Sequence, residues 1–283
     1  MISKLFQLSV SVFQDTVLRP EFFIAVGVIL LLERLFPVDP KQPAFSAGLA
    51  HNGVWLLFAV PFDGVVIAFY ARVLSNFYEA HLNFMTLKAA AHFPELARIL
   101  FAIFLADFLA WFQHWVKHKV PWFWHFHAVH HSDRQLNAFT DFRFHFMEYF
   151  ISRPIVMIPL LMFDVQVPHI VVFSLFQTWQ TRFYHANIKS DLGFLRYLFV
   201  TPQSHRVHHS IERRHADKNF GVMFSFWDRF FKTGVSDHTV YPRTGIHDEK
   251  FPLEQAGFSS VAVSLLKQLA YPFVSIFRSL RHE

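Results

Sequence analysis

No cysteine occurs among the 283 residues. That excludes disulfide frameworks, thiolate metal sites and iron–sulfur clusters, and it leaves histidine to carry any coordination. The basic residues are not interleaved with a polar domain surface. They flank apolar runs, so the net charge of +5 points to anionic lipid headgroups and not to nucleic acid. No small-residue cleavage site follows a short apolar core near the N-terminus, and no signal peptide is expected in Met1–Arg19. The H-E-x-x-H arrangement of hydrolytic zinc sites is missing, as are flavin, haem-attachment and dinucleotide motifs. There is no low-complexity linker and no long internal repeat.

Apolar residues are abundant. More than half of the chain is hydrophobic and 38 residues are Phe, with runs long enough to cross a hydrocarbon layer. The expected fold is all-α: a multi-span helical membrane protein with a cytoplasmic helical cap. Residues 1–95 read as an N-terminal interfacial helix followed by the first spans. One span runs from Glu21 to Phe36, with Glu33 and Arg34 snorkelling at its end, and a second runs from Ala47 to about Leu74, kinked or split at Pro61. Residues 96–245 read as the chemical region. They include a span from Leu96 to Trp115 and an out-and-back membrane hairpin over about 150–180 that turns near Asp164–Pro168. Residues 246–283 read as an interfacial amphipathic helix too charged for a span. Seven of the 26 Lys and Arg residues precede residue 117 and the other 19 lie from Lys117 onward, so the later part is expected on the cytoplasmic side.

Histidine is patterned. Two H-x-x-H-H triplets occur, His127/His130/His131 and His205/His208/His209. On a helix, positions i, i+3 and i+4 share one stripe, so each triplet is expected to project its imidazoles to a common point. His114 and His118 form an i, i+4 pair on a stripe with Asp107 and Trp111. Asp107, an ionisable group inside an apolar span, is a candidate to accept the N–H of a ligating ring and orient it. Eight imidazoles exceed what one ion accepts, which makes a dinuclear all-histidine site the economical reading. Imidazole suits several metals. Neutral nitrogen ligands in a lipid setting favour iron activating dioxygen at C–H bonds with no easier handle. His51, His81 and His92 lack partners at ligand spacing and are given no chemistry. Trp122 and Trp124 read as interface anchors.

The ordered set of motifs resembles the fatty acid hydroxylase / sterol desaturase superfamily of integral membrane di-iron oxygenases. It comprises Asp107…His114-x-x-x-His118, Trp124-His125-Phe126-His127-x-x-His130-His131-Ser132, Leu136-Asn137-Ala138 and Arg143-Phe144-His145. It continues with His185-Ala186-Asn187, Thr201-Pro202-x-x-His205-x-x-His208-His209 and Asp217-Lys218-Asn219-Phe220-Gly221…Trp227-Asp228-Arg229. The resemblance covers about residues 100–235. It implies two non-haem iron ions held by His114, His118, His127, His130, His131, His205, His208 and His209, with His185 completing the shell and Asp107 and Asn187 behind the ligands. His145 matches a position that varies across relatives and stays open as a ligand. His125 is off the triplet spacing and is expected in an outer or surface role. Asp217, Asn219 and Asp228 are expected to hold the cap together.

The implied reaction hydroxylates or desaturates a lipid with O2 as co-substrate. Because no redox-cofactor motif is present, electrons come from a separate donor protein of ferredoxin, cytochrome b5 or reductase type. The implied location is the plasma (bacterial inner) membrane or else the endoplasmic reticulum membrane, with the active site facing the cytoplasm. A histidine-ligated membrane haem protein and a metal transporter are the rival classes. The lipid may not be read from these motifs: fatty acyl, sterol, carotenoid and ether lipids all fit the superfamily.

Overall fold

The computed structural model describes residues 2–43, 45–86, 92–165, 167–253 and 258–281. Among them are ten α-helices and no β-strand, only three isolated bridges. Helix α1 (Ile2–Val17) packs along α3, and α2 (Pro20–Leu35) follows at once. Pro20 at its first position, Glu21 in its first turn and Arg34 in its last suit the helix dipole. Glu33 does not snorkel. Its carboxylate is buried and accepts the backbone N–H of Asn187 at 2.9 Å, because the chain after α7 lands on this turn.

Helix α3 (Ala47–Phe77) starts at Ser46, whose hydroxyl accepts from the Leu49 N–H. Pro61 does not split it: the helix is continuous and runs on through a π-turn, Tyr78–Leu82. Helix α4 (Glu95–Lys119) ends at Val120, and Pro121 opens α5 (Pro121–His131) after one non-helical residue. This tight elbow sets the last turns of α4 against α5.

Helices α6 (Phe146–Met162) and α7 (Val167–His185) form the out-and-back pair. The turn falls between Met162 and Val167, and Gln166, part of the expected turn, lies outside the described residues. With 17 and 19 residues, each arm is about 25–29 Å long. The first turn of α6 and the last residue of α7 lie beside the same histidines, so the turn is at the far end. The segment 186–253 then folds over the histidines. It carries α8 (Pro202–His208) and α9 (Phe226–Phe230).

Helix α10 (Phe258–Ser279) packs on α5 and α3. Among the described residues, two helical stretches are long and apolar enough to cross a membrane, Ala47–Met85 and Ser260–Ser279. The second lies within the segment expected to be an interfacial amphipathic helix. Its charged residues, Lys267 and Arg278, are few, and Gln268 is buried against His51.

One core cluster joins α1, α2, α3, α5 and α10 through Val17, Phe22, Trp55, Leu56, Val129 and Leu265. Large apolar side chains remain exposed along α2, α3, α4 and α7, among them Ile24, Leu31, Phe58, Phe101 and Val172. A soluble monomer rarely leaves so much apolar surface uncovered.

Candidate metal centre

All nine histidines singled out above converge, in two groups. His114, His118, His127, His131 and His208 form one, and His130, His185, His205 and His209 form the other. Within each group the ring nitrogens lie within 4.8 Å of one another. The triplets are not each gathered at one point. Position i+3 lies about 80° round the helix from the midline of an i, i+4 pair and so turns to a different neighbour. Hence His127 and His131 serve the first group while His130 serves the second; His205 and His209 serve the second while His208 serves the first.

Hydrogen bonds on the far side of four rings fix their tautomers. His114 Nδ1 donates to the Phe220 carbonyl at 2.9 Å, His185 Nδ1 to the Thr181 carbonyl at 2.8 Å and His208 Nδ1 to the Lys218 carbonyl at 2.8 Å. His127 Nδ1 lies 2.9 Å from a Glu148 carboxylate oxygen. Carbonyls only accept, so Nδ1 bears the proton and Nε2 keeps its lone pair. Yet His114 Nε2 lies 3.1 Å from His127 Nε2. Two lone pairs facing each other make no hydrogen bond and repel unless a cation sits among them.

The other Nε2–Nε2 separations are alike: 3.2 Å for His127–His131, 3.1 Å for His130–His185, 2.8 Å for His185–His205 and 3.1 Å for His205–His209. Ligands at right angles with bonds of about 2.1 Å sit about 3.0 Å apart, so these distances match cis positions around a metal. His118 Nε2 and His208 Nε2 are buried with no hydrogen-bond partner. Burial, then crowding by other imidazoles, holds His127, His130, His131, His205 and His209 well below the usual histidine pKa, and burial brings His208 down to about 4. These rings are neutral, as ligands must be. The donor set fits two cations.

The surroundings differ from the sequence expectation. Asp107 does not touch an imidazole. It lies one helical stretch before His114 and accepts from the backbone N–H of Met223 (3.0 Å) and Phe224 (3.3 Å) and from Trp227 Nε1 (2.9 Å). Asn187 does not reach the histidines either; it binds Glu33 and Asp39 and anchors the end of α2. The carboxylate that does meet a ring is Glu148, on the first turn of α6. Lys117 Nζ holds it at 2.9 Å, and both side chains are buried. A glutamate and a lysine burying their charges beside apolar runs was the available clue.

The loop Asp217–Gly221 supplies the carbonyls of Lys218 and Phe220. Asp217 and Asn219 both adopt φ of 58°, a left-handed conformation these residues tolerate. Gly221 is confined: a Cβ there would lie 2.9 Å from the Phe224 carbonyl and 3.0 Å from Asp228. Asp228 accepts from Phe220 N, Gly221 N and Trp111 Nε1, and so pins the loop to α4. Arg143, fully buried, donates to Val129 O (3.1 Å) and Ser132 Oγ (2.8 Å) at the C-terminal end of α5. A cation there complements the helix dipole.

His145 is not in either group. It caps α6 by accepting from Met147 N and binds the Leu269 carbonyl of α10. His125 borders a second cavity, and His51 binds Gln268 and Trp55. Trp122 is exposed, whereas Trp124 is no anchor: its ring lies 5.1 Å from that of His118 and 5.3 Å from that of His131.

Two cavities flank the centre. One of about 380 Å³ lies between α3, α4, α6 and α7 and reaches His114, His127, His130, His185 and His205. The other, also about 380 Å³, touches His118, His131 and His208 and is walled by Trp124, residues 210–217 and 245–248, and Tyr271.

An all-helical scaffold that converges nine imidazoles into two adjoining groups defines a histidine-cluster protein built to hold metal cations. Residues 99–233, which carry both histidine groups, match the fatty acid hydroxylase family. It is 29% identical over 150 residues to the ornithine lipid hydroxylase OlsE of Rhizobium tropici, covering 53% of this chain and 42% of that one. It is 35% identical over 128 residues to alkylglycerol monooxygenase of Danio rerio and 32% over 126 residues to that of Homo sapiens. Each of these covers 43% of this chain and 27% of the relative. The matches therefore span well under half of the relatives' own length. No solved structure matches the chain significantly.

Proposed function

We propose that this chain is a membrane-bound di-iron oxygenase that oxidises a C–H bond of a lipid with O2 and electrons from a separate donor protein. The observation that carries this reading is the set of opposed Nε2 lone pairs at about cis-ligand spacing, His114 against His127 above all. Bound iron would supply O2 activation and hydrogen-atom removal. The residues of the chain do the rest. Nine imidazoles hold the ions. Glu148 and the carbonyls of Thr181, Phe220 and Lys218 keep four rings in the ligating tautomer. Phe220 and Trp111 wall the first group from water. The cavity between α3, α4, α6 and α7 admits the substrate, and the opposite cavity offers a separate approach for electrons and protons.

The exposed apolar belt and the two span-length helices support a membrane setting. The charge distribution supports a cytoplasmic centre in a plasma membrane. The haem alternative is not favoured: an axial pair on one haem iron stands about 4 Å apart across the ring, alone, whereas here four and five nitrogens crowd together. The test is metal analysis and spectroscopy of purified protein together with mass spectrometry of membrane lipids with and without it. Two irons per chain, no Soret band, and one lipid gaining an oxygen or losing two hydrogens are expected. A haem spectrum, or unchanged lipids in iron-replete cells with a donor, refutes it.

A further inference from the structure

The substrate cavity is unusual in what its walls leave unpaired. Gln113 Oε1, Asp141 Oδ1, Glu148 Oε1 and Ser152 Oγ all belong to residues lining it, and none of these atoms has a hydrogen-bond partner. The remaining oxygens of the two carboxylates are engaged. Asp141 Oδ2 is 3.2 Å from Arg182 Nε, and Glu148 Oε2 binds Lys117 and His127. The basic groups here are thus already committed to acids, and what is left over is three carbonyl or carboxylate oxygens that accept and one hydroxyl that can accept or donate. A buried acceptor without a donor is costly, so such a wall favours an occupant that brings donors.

Their placement is equally specific. Glu148 touches His127, and Ser152 stands one turn further along α6, about 5–6 Å away. One more turn brings Val156, which with Ile67 and Val60 continues the cavity as apolar wall. The donors therefore belong at the histidine end and the alkyl portion beyond it.

We infer that this cavity recognises the polar end of a lipid that carries hydroxyl, amide or ammonium donors, and that the carbon oxidised lies within a few bonds of those donors, not mid-chain. Gln113, Asp141, Glu148 and Ser152 are the specificity residues, and carboxylate or phosphate ends, lacking donors, are disfavoured by the unpaired oxygens of Gln113, Asp141 and Glu148. This rests on the lipid-oxygenase reading for the oxidation, but not for the binding.

The test uses the purified, metal-containing protein and three soluble probes of equal chain length: hexane-1,2-diol, hexylamine and hexanoate. Affinities are measured by ligand-observed NMR for wild type, Gln113→Leu and Ser152→Ala. Each variant removes an atom that has no partner, so melting temperatures should stay close to wild type, and either variant alone suffices. Expected is a weakening of about ten-fold for diol or amine, with hexanoate unchanged in Gln113→Leu and weakened less than the diol or amine in Ser152→Ala. Loss for the diol alone identifies a hydroxylated end, and loss for the amine alone a cationic one. Equal behaviour of all three probes across the variants overturns the assignment. In turnover, oxygen inserted mid-chain overturns the placement. If binding discriminates but no iron-dependent oxidation occurs, the oxygenase reading fails and the recognition stands.

Discussion

The two histidine groups draw on the same helices in opposite proportion. Helix α5 gives two rings to the five-histidine group and one to the four-histidine group; α8 with its C-cap gives one and two. The asymmetry comes from the third contributor. Helix α4 adds both His114 and His118, whereas α7 adds only His185. If each group held one ion, the smaller would supply four nitrogen donors and the larger five, so the smaller would leave more of the ion's coordination to other ligands. Three of the four rings in the smaller group and two of the five in the larger, His114 and His127, border the cavity between α3, α4, α6 and α7, while the opposite cavity touches only rings of the larger group. The two groups therefore differ in which cavity they meet: the smaller faces only the first, and the larger faces both.

The largest predicted effect sets the groups against each other. His205→Ala leaves three rings, and the protein should lose one ion per chain and all lipid product. His118→Ala leaves four; its ring is the least constrained, with Nδ1 3.8 Å from Asp217 and Nε2 unpaired. That variant should retain both ions and measurable turnover. Metal analysis and lipid mass spectrometry on the two proteins decide it, and equal loss of metal would make the groups equivalent.

Much of this was legible in the residues. Helical class, the α6–α7 pair and the identity of the converging histidines follow from 3.6-residue periodicity and the i, i+3, i+4 spacing. The partition of each triplet between two groups was not, because it depends on which neighbour each face of α5 and α8 meets. Asp107 was misread for a similar reason: its stripe is shared with His114, yet a long lever separates them, and the backbone of 223–224 reaches its carboxylate first. Glu148 went unseen because its partner His127 is 21 residues away and an intervening loop sets their contact.

Next in size is Arg143→Ala. Arg143 braces the end of α5, the helix that serves both groups, so its loss leaves Val129 O and Ser132 with a buried gap. The expected cost is about 3 kcal/mol, read as a fall in melting temperature, with metal lost from both groups in parallel. Metal lost from one group alone would show that α5 is not their common frame. Glu148→Ala should be smaller and selective. It frees only His127 and leaves Lys117 unpaired, so metal affinity of the five-histidine group should drop about 10–100-fold, Glu148→Gln retaining more. The four-histidine group should be unchanged.

The smallest effect probes α8. Seven residues cannot sustain a helix alone, and this one is held by its start: Pro202 at the first position, with the Thr201 hydroxyl accepting from Ser204 N at 3.0 Å and Ser204 Oγ accepting from Thr201 N at 3.0 Å. Thr201→Ala removes one half of that reciprocal cap and should cost about 1 kcal/mol. Fraying from this end disturbs His205 before His208, because His205 is one turn from the cap and His208 nearly two. The four-histidine group also takes two of its rings from this segment, against one for the other group. Titration of metal into Thr201→Ala should therefore show a modest loss of affinity confined to one of two sites, with the second site matching wild type. A uniform loss at both sites would mean that α8 moves as a rigid body and that the inequality between the groups lies in α4 and α7 alone.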